Sequence, residues 1–224
     1  MMDLQENKNL VFENVKKAAR SVNRLDSDIN IVAVTKTVDS ETAALLIDTG
    51  VQHIAENRVD KFLDKYQALH KRPVKWHLIG TLQRRKVKDV INFVDYFHAL
   101  DSVKLAAEIQ KRAEKPINCF LQVNISEEES KHGFKIDEVE DALDQMTAFD
   151  KVIITGLMTM APLDATSEEI NAIFNKTNLL RQRLENQKRL HMPLKNLSMG
   201  MSNDYQIAIQ NGSTFVRIGT SFFK

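Results

Sequence analysis

Cysteine, proline and tryptophan are scarce in this chain of 224 residues, and long apolar runs are missing. Cys119 is the single cysteine, which excludes an internal disulfide and a zinc site built on clustered cysteines. No stretch comes near the roughly 18 consecutive apolar residues that a transmembrane helix needs. The first residues also lack the apolar core of a signal peptide. We therefore expect a soluble, cytoplasmic protein with no membrane partner.

A net charge of one sign is missing as well, since 31 basic residues are balanced by 30 acidic ones. This balance gives no overall attraction to a polyanion, so we expect no nucleic-acid partner. The local basic cluster Arg84–Lys88 is either a solvated helix face or a site for a polyanion, and its role stays open. Apolar residues make up 43% of the chain and charged residues 27%, which is typical of a globular protein; we expect one domain over residues 1–224.

What the sequence does contain is a regular alternation of short apolar strands and amphipathic helices. An extra amphipathic helix within residues 3–23 precedes the first strand. The eight predicted strands cover residues 30–36, 51–55, 75–80, 96–100, 117–124, 152–158, 197–199 and 214–218. Strict alternation favours parallel strands, and eight such units in this length predict a single α/β domain of the (β/α)8 TIM barrel type.

Lys36 closes the first predicted strand and so stands at a strand's carboxyl end, where barrels build their functional sites. Strand alternation puts Lys36 on the same face as Val32 and Val34, which predicts a buried stem with only the amine emerging. Burial disfavours the charged amine and makes it a nucleophile toward carbonyls, so one interpretation is a lysine that forms a Schiff base. The other is a solvated lysine in an ion pair.

The loops after the seventh and eighth predicted strands have a composition suited to phosphate. Gly200-Met201-Ser202 opens a helix and Gly219-Thr220-Ser221 follows the last strand, so the backbone can approach an anion closely while hydroxyls donate to it. The plain alternative is that these glycines only turn the chain. Arg217 could pair with a carboxylate, face the ring nitrogen of a cofactor, or close an ion pair across the barrel mouth.

His53, His77 and His98 stand on three successive predicted strands. No pattern of supporting carboxylates accompanies them, so we expect hydrogen-bonded core histidines and no metal site. By alternation, His77 and Asn124 are expected to point toward the barrel mouth. Glu56 and Asp204 could each supply an acid or base of the site, or each could be the ion-pair partner of a Lys or Arg.

At the level of individual motifs the sequence resembles the pyridoxal phosphate homeostasis protein family, whose members are fold-type III pyridoxal phosphate (PLP) proteins. The matching segments run from the first strand to the last. They are Val32–Lys36, Glu56-Asn57, Trp76–Gln83, Val123–Ile125, Lys131-x-Gly133, Gly156–Met160, Leu197–Asp204 and Val216–Thr220. Departures from the family pattern, which concern the rim of the site, occur at Ala55 (usually Gly), Arg58 (commonly Tyr) and Arg85 (usually Asn).

The resemblance implies PLP as the cofactor and assigns residues to its parts. Lys36 would hold the aldehyde as a Schiff base, while Ser202, Gly219 and Thr220 would surround the phosphate and Arg217 would face the pyridine nitrogen. Asn57, His77 and Met158 would line the pocket.

The function that the resemblance implies is intracellular PLP homeostasis, in which the protein holds PLP reversibly and supplies or buffers it without strong catalysis. We expect a monomer, because no broad apolar helix face remains once the barrel core is filled. Arg217 cannot protonate the ring nitrogen, which would leave PLP a weak electron sink. Related racemases add a second domain with a tyrosine base, for which no residues remain here. Apo PLP-enzymes and amino acids would be partners.

Three alternatives stay open. The first is a PLP-dependent amino-acid racemase of low activity, and the second is a class I aldolase in which Lys36 attacks a substrate carbonyl. The third is an interaction module that docks through Arg84–Lys88.

Overall fold

The computed structural model of the chain describes residues 3–126 and 132–224. Eight parallel strands follow one another in chain order and close into a barrel, with β1 paired to β8. The strands are β1 (Asn30–Val34), β2 (His53–Glu56), β3 (Lys75–Leu78), β4 (Tyr96–Leu100), β5 (Ile117–Gln122), β6 (Val152–Met158), β7 (Asn196–Ser198) and β8 (Phe215–Ile218). The predicted (β/α)8 TIM barrel is confirmed.

The α-helices lie outside the barrel strands, and α1 precedes β1 as predicted. They are α1 (Leu4–Arg20), α2 (Ser40–Asp48), α3 (Val59–Leu69), α4 (Val87–Val90), α5 (Val103–Arg112), α6 (Val139–Gln145), α7 (Ser167–Glu185) and α8 (Tyr205–Gln210). Short 3₁₀ turns occur at Asp26–Asp28, Arg84–Lys86, Ile91–Phe93, Ile136–Glu138 and Thr220–Phe222. Every described helix is too short or too polar to cross a lipid bilayer.

Side-chain caps fix where several helices begin. The Asp39 carboxylate accepts a hydrogen bond from the Thr42 backbone N–H at 2.8 Å, which starts α2 directly after the β1 loop. At α7, Thr166 and Glu169 form a reciprocal capping box. These caps hold the loops at the carboxyl end of the barrel in defined positions.

Aromatic and imidazole rings fill the barrel interior. The Phe215 ring on β8 lies 5.1 Å from the Phe120 ring on β5 and 6.1 Å from the His77 ring on β3, centroid to centroid. These strands are not neighbours in the sheet, so their side chains can meet only through the interior. Tyr96 stacks on His77 at 4.7 Å with the rings nearly parallel. Because Val32 pairs in register with Arg217, the register and the pleat place both on this inner face.

Candidate functional site at the carboxyl end of the barrel

Lys36 lies in the turn after β1, and its side chain is exposed to solvent. The expectation of a buried stem is therefore wrong. β1 ends at Val34, and the buried Thr35 turns the chain, because its carbonyl accepts hydrogen bonds from the Val38 N–H at 3.1 Å and from Lys65 Nζ at 2.7 Å. Lys36 does follow the carboxyl end of a barrel strand, as predicted, but its amine is reached from water.

A buried ion pair supports the backbone next to Lys36. Lys65 Nζ lies 2.5 Å from Glu56 Oε1, and the two side chains are 3% and 1% exposed. The Thr35 hydroxyl donates to the same carboxylate oxygen at 2.6 Å. Of the two interpretations of Glu56, the ion-pair partner is confirmed. Lys65 was missed by the sequence analysis, although its position three residues after Phe62, on the inner face of α3, was a usable signal.

The loops after β7 and β8 meet beside the end of β1. The Gly219 N–H donates to Ser202 Oγ at 3.3 Å, which joins the two loops. A side chain at Gly219 would place its Cβ 3.3 Å from the Val34 carbonyl oxygen, so the last loop packs closely against β1. Ser202 is half-buried and Thr220 is exposed, so both hydroxyls can reach a ligand from solvent. The structure thus brings the predicted phosphate-binding residues next to the strand that leads to Lys36.

Arg217 is a buried cation at the carboxyl end of β8. One of its terminal nitrogens donates to Ser198 Oγ at 2.5 Å and the other to the Thr159 carbonyl at 3.1 Å. Burial lowers the pKa of Arg217 to about 10, while the nearby Asp204 carboxylate opposes that shift. Burial raises the pKa of Asp204 in turn. Arg217 therefore stays protonated at neutral pH and presents only hydrogen-bond donors.

His77 is fully buried inside the barrel and lies between two other histidines. His77 Nε2 is 2.9 Å from His53 Nδ1, and His77 Nδ1 is 2.8 Å from His98 Nε2. The expectation of hydrogen-bonded core histidines is confirmed. The described residues contain no group of histidine, cysteine and carboxylate side chains arranged to hold a metal ion. The role of His77 as a pocket residue stays a prediction.

Asn57 and Met158 occupy the ends of two further strands. Asn57 is exposed in the loop after β2, and its carbonyl oxygen approaches Gly80 so closely that a Cβ there would lie 2.0 Å away. Met158 is the last residue of β6 and is buried. Their contact with a ligand stays a prediction. Lys131 of the Lys131-x-Gly133 motif lies outside the described residues.

Two cavities are found elsewhere on the molecule. A cavity of about 870 Å³ lies at the amino-terminal end of the barrel and another of about 590 Å³ lies at the loops after β5 and β6. The larger is lined by residues from α1, the Asp26–Asp28 turn and the starts of β1 and β2, including His53. Lys36, at the mouth of the barrel, lines neither of these cavities, and the donor chemistry around it marks this region as a candidate site.

The donor set at this mouth fits an anionic, aldehyde-bearing ligand. Two hydroxyls and closely packed glycine backbone converge where the last two loops meet, which suits a phosphate group. A primary amine stands on the adjacent strand end, and a buried guanidinium lies between these loops and the barrel interior. The residues present therefore fit a phosphorylated aldehyde that reacts with an amine and accepts hydrogen bonds at its ring.

The comparisons agree with this arrangement. The family model for the alanine racemase N-terminal domain matches residues 8–224. The pyridoxal phosphate homeostasis protein of Aquifex aeolicus is 36% identical to the chain over 225 residues, covering 99% of this chain and 98% of its own length.

Two solved structures give the same fold. PipY of Synechococcus elongatus, solved with PLP bound, has a TM-score of 0.87 and 28% identity, covering 99% of this chain and all of its own. An alanine racemase of Clostridium difficile has a TM-score of 0.74 at 17% identity, and the match covers 98% of this chain but 56% of the racemase. This second likeness concerns the fold alone.

Proposed function

The chain belongs to the pyridoxal phosphate homeostasis protein family, and from that premise we propose that it binds PLP at the mouth formed by the loops after β1, β7 and β8. PLP, when bound, supplies an aldehyde that condenses reversibly with amines. We propose further that the protein holds PLP on Lys36 and supplies or buffers it inside the cell, with apo PLP-enzymes and amino acids as recipients or competitors.

One observation carries this proposal. The hydrogen bond from the Gly219 N–H to Ser202 Oγ joins the last two loops, and the close contact of Gly219 with Val34 puts that junction two residues before Lys36. An anion held by Ser202, Gly219 and Thr220 would therefore lie next to the strand end that is followed by the exposed Lys36.

Different residues of the protein would bind different parts of PLP. The two loops hold the phosphate through hydroxyl and backbone donors, and Asn57, His77 and Met158 shape the surrounding wall. Arg217 would orient the ring nitrogen by donating a hydrogen bond to it. The exposure of Lys36 leaves its amine open to exchange with other amines in solution, which suits a carrier.

The same residues support a non-catalytic role. Arg217 remains a cation at neutral pH, so it donates a hydrogen bond but provides no acid that would protonate the ring nitrogen fully. Related racemases use a tyrosine as base, and two of the three tyrosines of this chain are held in packing contacts. Tyr66 packs on Trp76, and Tyr96 packs inside the barrel. We therefore propose a cytoplasmic, monomeric carrier. The alternative is a racemase of low activity, which the related fold of alanine racemase favours.

The test is the visible absorption spectrum of the purified chain titrated with PLP. We expect an absorption band of the bound cofactor in the wild type, and its covalent fixation to the peptide that contains Lys36 after borohydride reduction. Lys36→Ala should abolish both signals. Lys61→Ala, which removes another exposed lysine on α3, should leave both intact.

A carrier and a racemase are then separated by incubating the PLP-loaded protein with single enantiomers of alanine and serine. Unchanged enantiomers would support the carrier. Steady formation of the opposite enantiomer, lost in Lys36→Ala, would establish the racemase instead, and a cofactor band that persists in Lys36→Ala would remove Lys36 from its proposed role.

A further inference from the structure

A continuous chain of hydrogen-bonding side chains crosses the barrel interior from one end to the other. Its members, in spatial order, are His53 on β2, His77 on β3, His98 on β4, Ser198 on β7 and Arg217 on β8. The successive distances are 2.9 Å between His53 and His77, 2.8 Å between His77 and His98, 2.7 Å between His98 and Ser198, and 2.5 Å between Ser198 and Arg217.

The two ends of the chain lie in different surroundings. His53 is half-buried and lines the cavity of about 870 Å³ at the amino-terminal end of the barrel. Arg217 lies at the opposite end, beside the proposed PLP site. His77, His98 and Ser198 between them are fully buried, so water does not compete for their hydrogen bonds.

Arg217 fixes the direction of the last bond of the chain, because a guanidinium can only donate, and it leaves Ser198 its own hydrogen for another partner. Ser198 Oγ accepts from Arg217, and its own hydrogen is then available for His98 Nδ1. His98 Nδ1 is the acceptor that the described contacts offer this hydrogen, so the arrangement that uses it has the His98 proton on Nε2, donating to His77 Nδ1. His77 Nε2 donates in turn to His53 Nδ1. Each ring nitrogen of His77 and His98 thus has one complementary partner.

We infer that Ser198, His98, His77 and His53 form one polarised relay that positions Arg217 and couples its hydrogen bonding to the protonation of His53 at the far end of the barrel. A proton added to His53 Nδ1 would face the donor of His77. To accommodate this proton, His77 and His98 must each change from the Nε2–H to the Nδ1–H tautomer. The Ser198 hydrogen must also turn away from His98. The relay therefore resists protonation at His53 and keeps Arg217 fixed.

Other charged groups also act on the relay. Burial and the Lys75 ammonium lower the pKa of His53, and Asp95 opposes them. The titratable groups that face the relay from the packed elements are Lys8, Glu13 and Lys16 on α1, Asp26 before β1, Lys75 on β3, Asp95 and Tyr96 at β4, and Asp204 before α8. None of these changes when Ser198 is altered, so Ser198 isolates the contribution of the relay.

The test is nitrogen-15 NMR of the histidine rings in the full-length protein without added PLP, recorded from pH 5 to pH 8.5. We expect His53, His77 and His98 to be neutral Nε2–H tautomers at neutral pH. Ser198→Ala should introduce the Nδ1–H tautomer at His98 and raise the midpoint of His53 titration by about half a pH unit, a threefold change in proton affinity. Ser198→Thr, which keeps the hydroxyl, should preserve the wild-type pattern.

Ser213→Ala is the matched control, since Ser213 is equally buried but bonds only to backbone carbonyls such as Met199 O at 2.7 Å. It should leave all three histidines unchanged. Nδ1–H tautomers at His77 or His98 in the wild type would overturn the inference without any variant. An unchanged His53 midpoint in folded Ser198→Ala would overturn the coupling.

The consequence for the cofactor rests on the function proposed above. In the PLP-loaded protein, Ser198→Ala should shift the pH profile of the visible band, whereas Ser213→Ala should not. A protein that shows the expected tautomers but binds no PLP would retain the relay and lose the proposed function. A protein that binds PLP but shows the opposite tautomers would retain the proposed function and contradict the relay. The two failures are therefore distinguishable.

Discussion

The Lys65 ammonium lies 2.5 Å from the Glu56 carboxylate, and both side chains are almost completely withdrawn from water. Lys65 also donates to the carbonyl of Thr35, the residue before Lys36. The second carboxylate oxygen of Glu56 is buried without a hydrogen-bond partner in the described structure. The pair therefore anchors the turn that presents Lys36, and loss of either member leaves the other charge buried.

Replacing Lys65 by Met should destabilise the fold by about 3–5 kcal/mol, because the Glu56 carboxylate would be left buried and unpaired. Chemical denaturation gives the free energy of unfolding. Lys61→Met, on the exposed side of the same helix, is the control and should change it by less than about 0.5 kcal/mol. Adding Glu56→Leu to Lys65→Met should restore part of the lost free energy of unfolding. If the effects of the two substitutions simply added, the two residues would not be a coupled pair.

Gly80→Ala should destabilise the fold by about 3 kcal/mol, the upper range for overpacking, because its Cβ would lie 2.0 Å from the Asn57 carbonyl oxygen. That atom belongs to the backbone and cannot swing aside. Gly50→Ala is the comparison, since Gly50 has a φ of +98° but no atom within 4 Å of the added Cβ, so only backbone strain of about 1 kcal/mol remains. Thermal unfolding measures how much more Gly80→Ala destabilises the fold than Gly50→Ala. Equal destabilisation would mean that the loop containing Asn57 moves aside freely and would contradict the prediction.

Stability should fall as the pH drops below about 6.5, the pKa of histidine in an unfolded chain. Burial holds the pKa of His77 and of His98 well below that value in the folded protein. Above pH 6.5 the two histidines are neutral in both the folded and the unfolded protein, and their contribution to stability is fully present. Below it the unfolded chain binds protons that the native state does not, so each histidine lowers stability by about 1.4 kcal/mol per pH unit.

The check is the slope of unfolding free energy between pH 6.5 and pH 5 in wild type and in His77→Gln. The variant should lose about one histidine's share of that slope, about 1.4 kcal/mol per pH unit. His70→Gln, which alters an exposed histidine, is the matched control variant. Identical slopes in all three proteins would mean that His77 titrates normally in the fold.

Ser202→Ala should weaken PLP binding by about fivefold, the effect of losing one hydrogen bond of about 1 kcal/mol. Pyridoxal, which lacks the phosphate, should bind both proteins equally. Equilibrium titration of the visible band with each compound measures the two affinities. A loss of affinity for pyridoxal as large as that for PLP would place Ser202 away from the phosphate.

Strand count and order were predictable because the physical signals are local. Buried parallel strands read as short apolar runs, and caps such as Asp39 and Thr166 mark helix starts in the sequence. Between the third and fourth strands the alternation of strands and helices predicts a helix from about Gln83 to Asn92, and this prediction is only partly right. The segment forms a four-residue α-helix between two 3₁₀ turns, in a stretch where buried, β-branched Val87, Val90 and Ile91 lower helix propensity.

The loops of the candidate site were predictable from the sequence, but the contacts between them were not. The loops containing Ser202 and Gly219 were identified from glycine and hydroxyl content, yet their contact depends on barrel closure. Burial at Lys36 was misjudged because alternation was extended two residues past Val34, where the strand ends. The pairing of Lys65 with Glu56 depends on how α3 rotates against the barrel, which local sequence does not reveal.

The pairing of β7 with β8 bears on what a ligand does to the protein as a whole. β7 is three residues long, and its register with β8 consists of the pair Ser198 and Phe215. The loops that continue these two strands are the ones joined by Gly219 and Ser202. An anion bound by both loops would link β7 to β8 where the barrel has its fewest paired residues. Ligand binding and barrel closure would therefore stabilise each other.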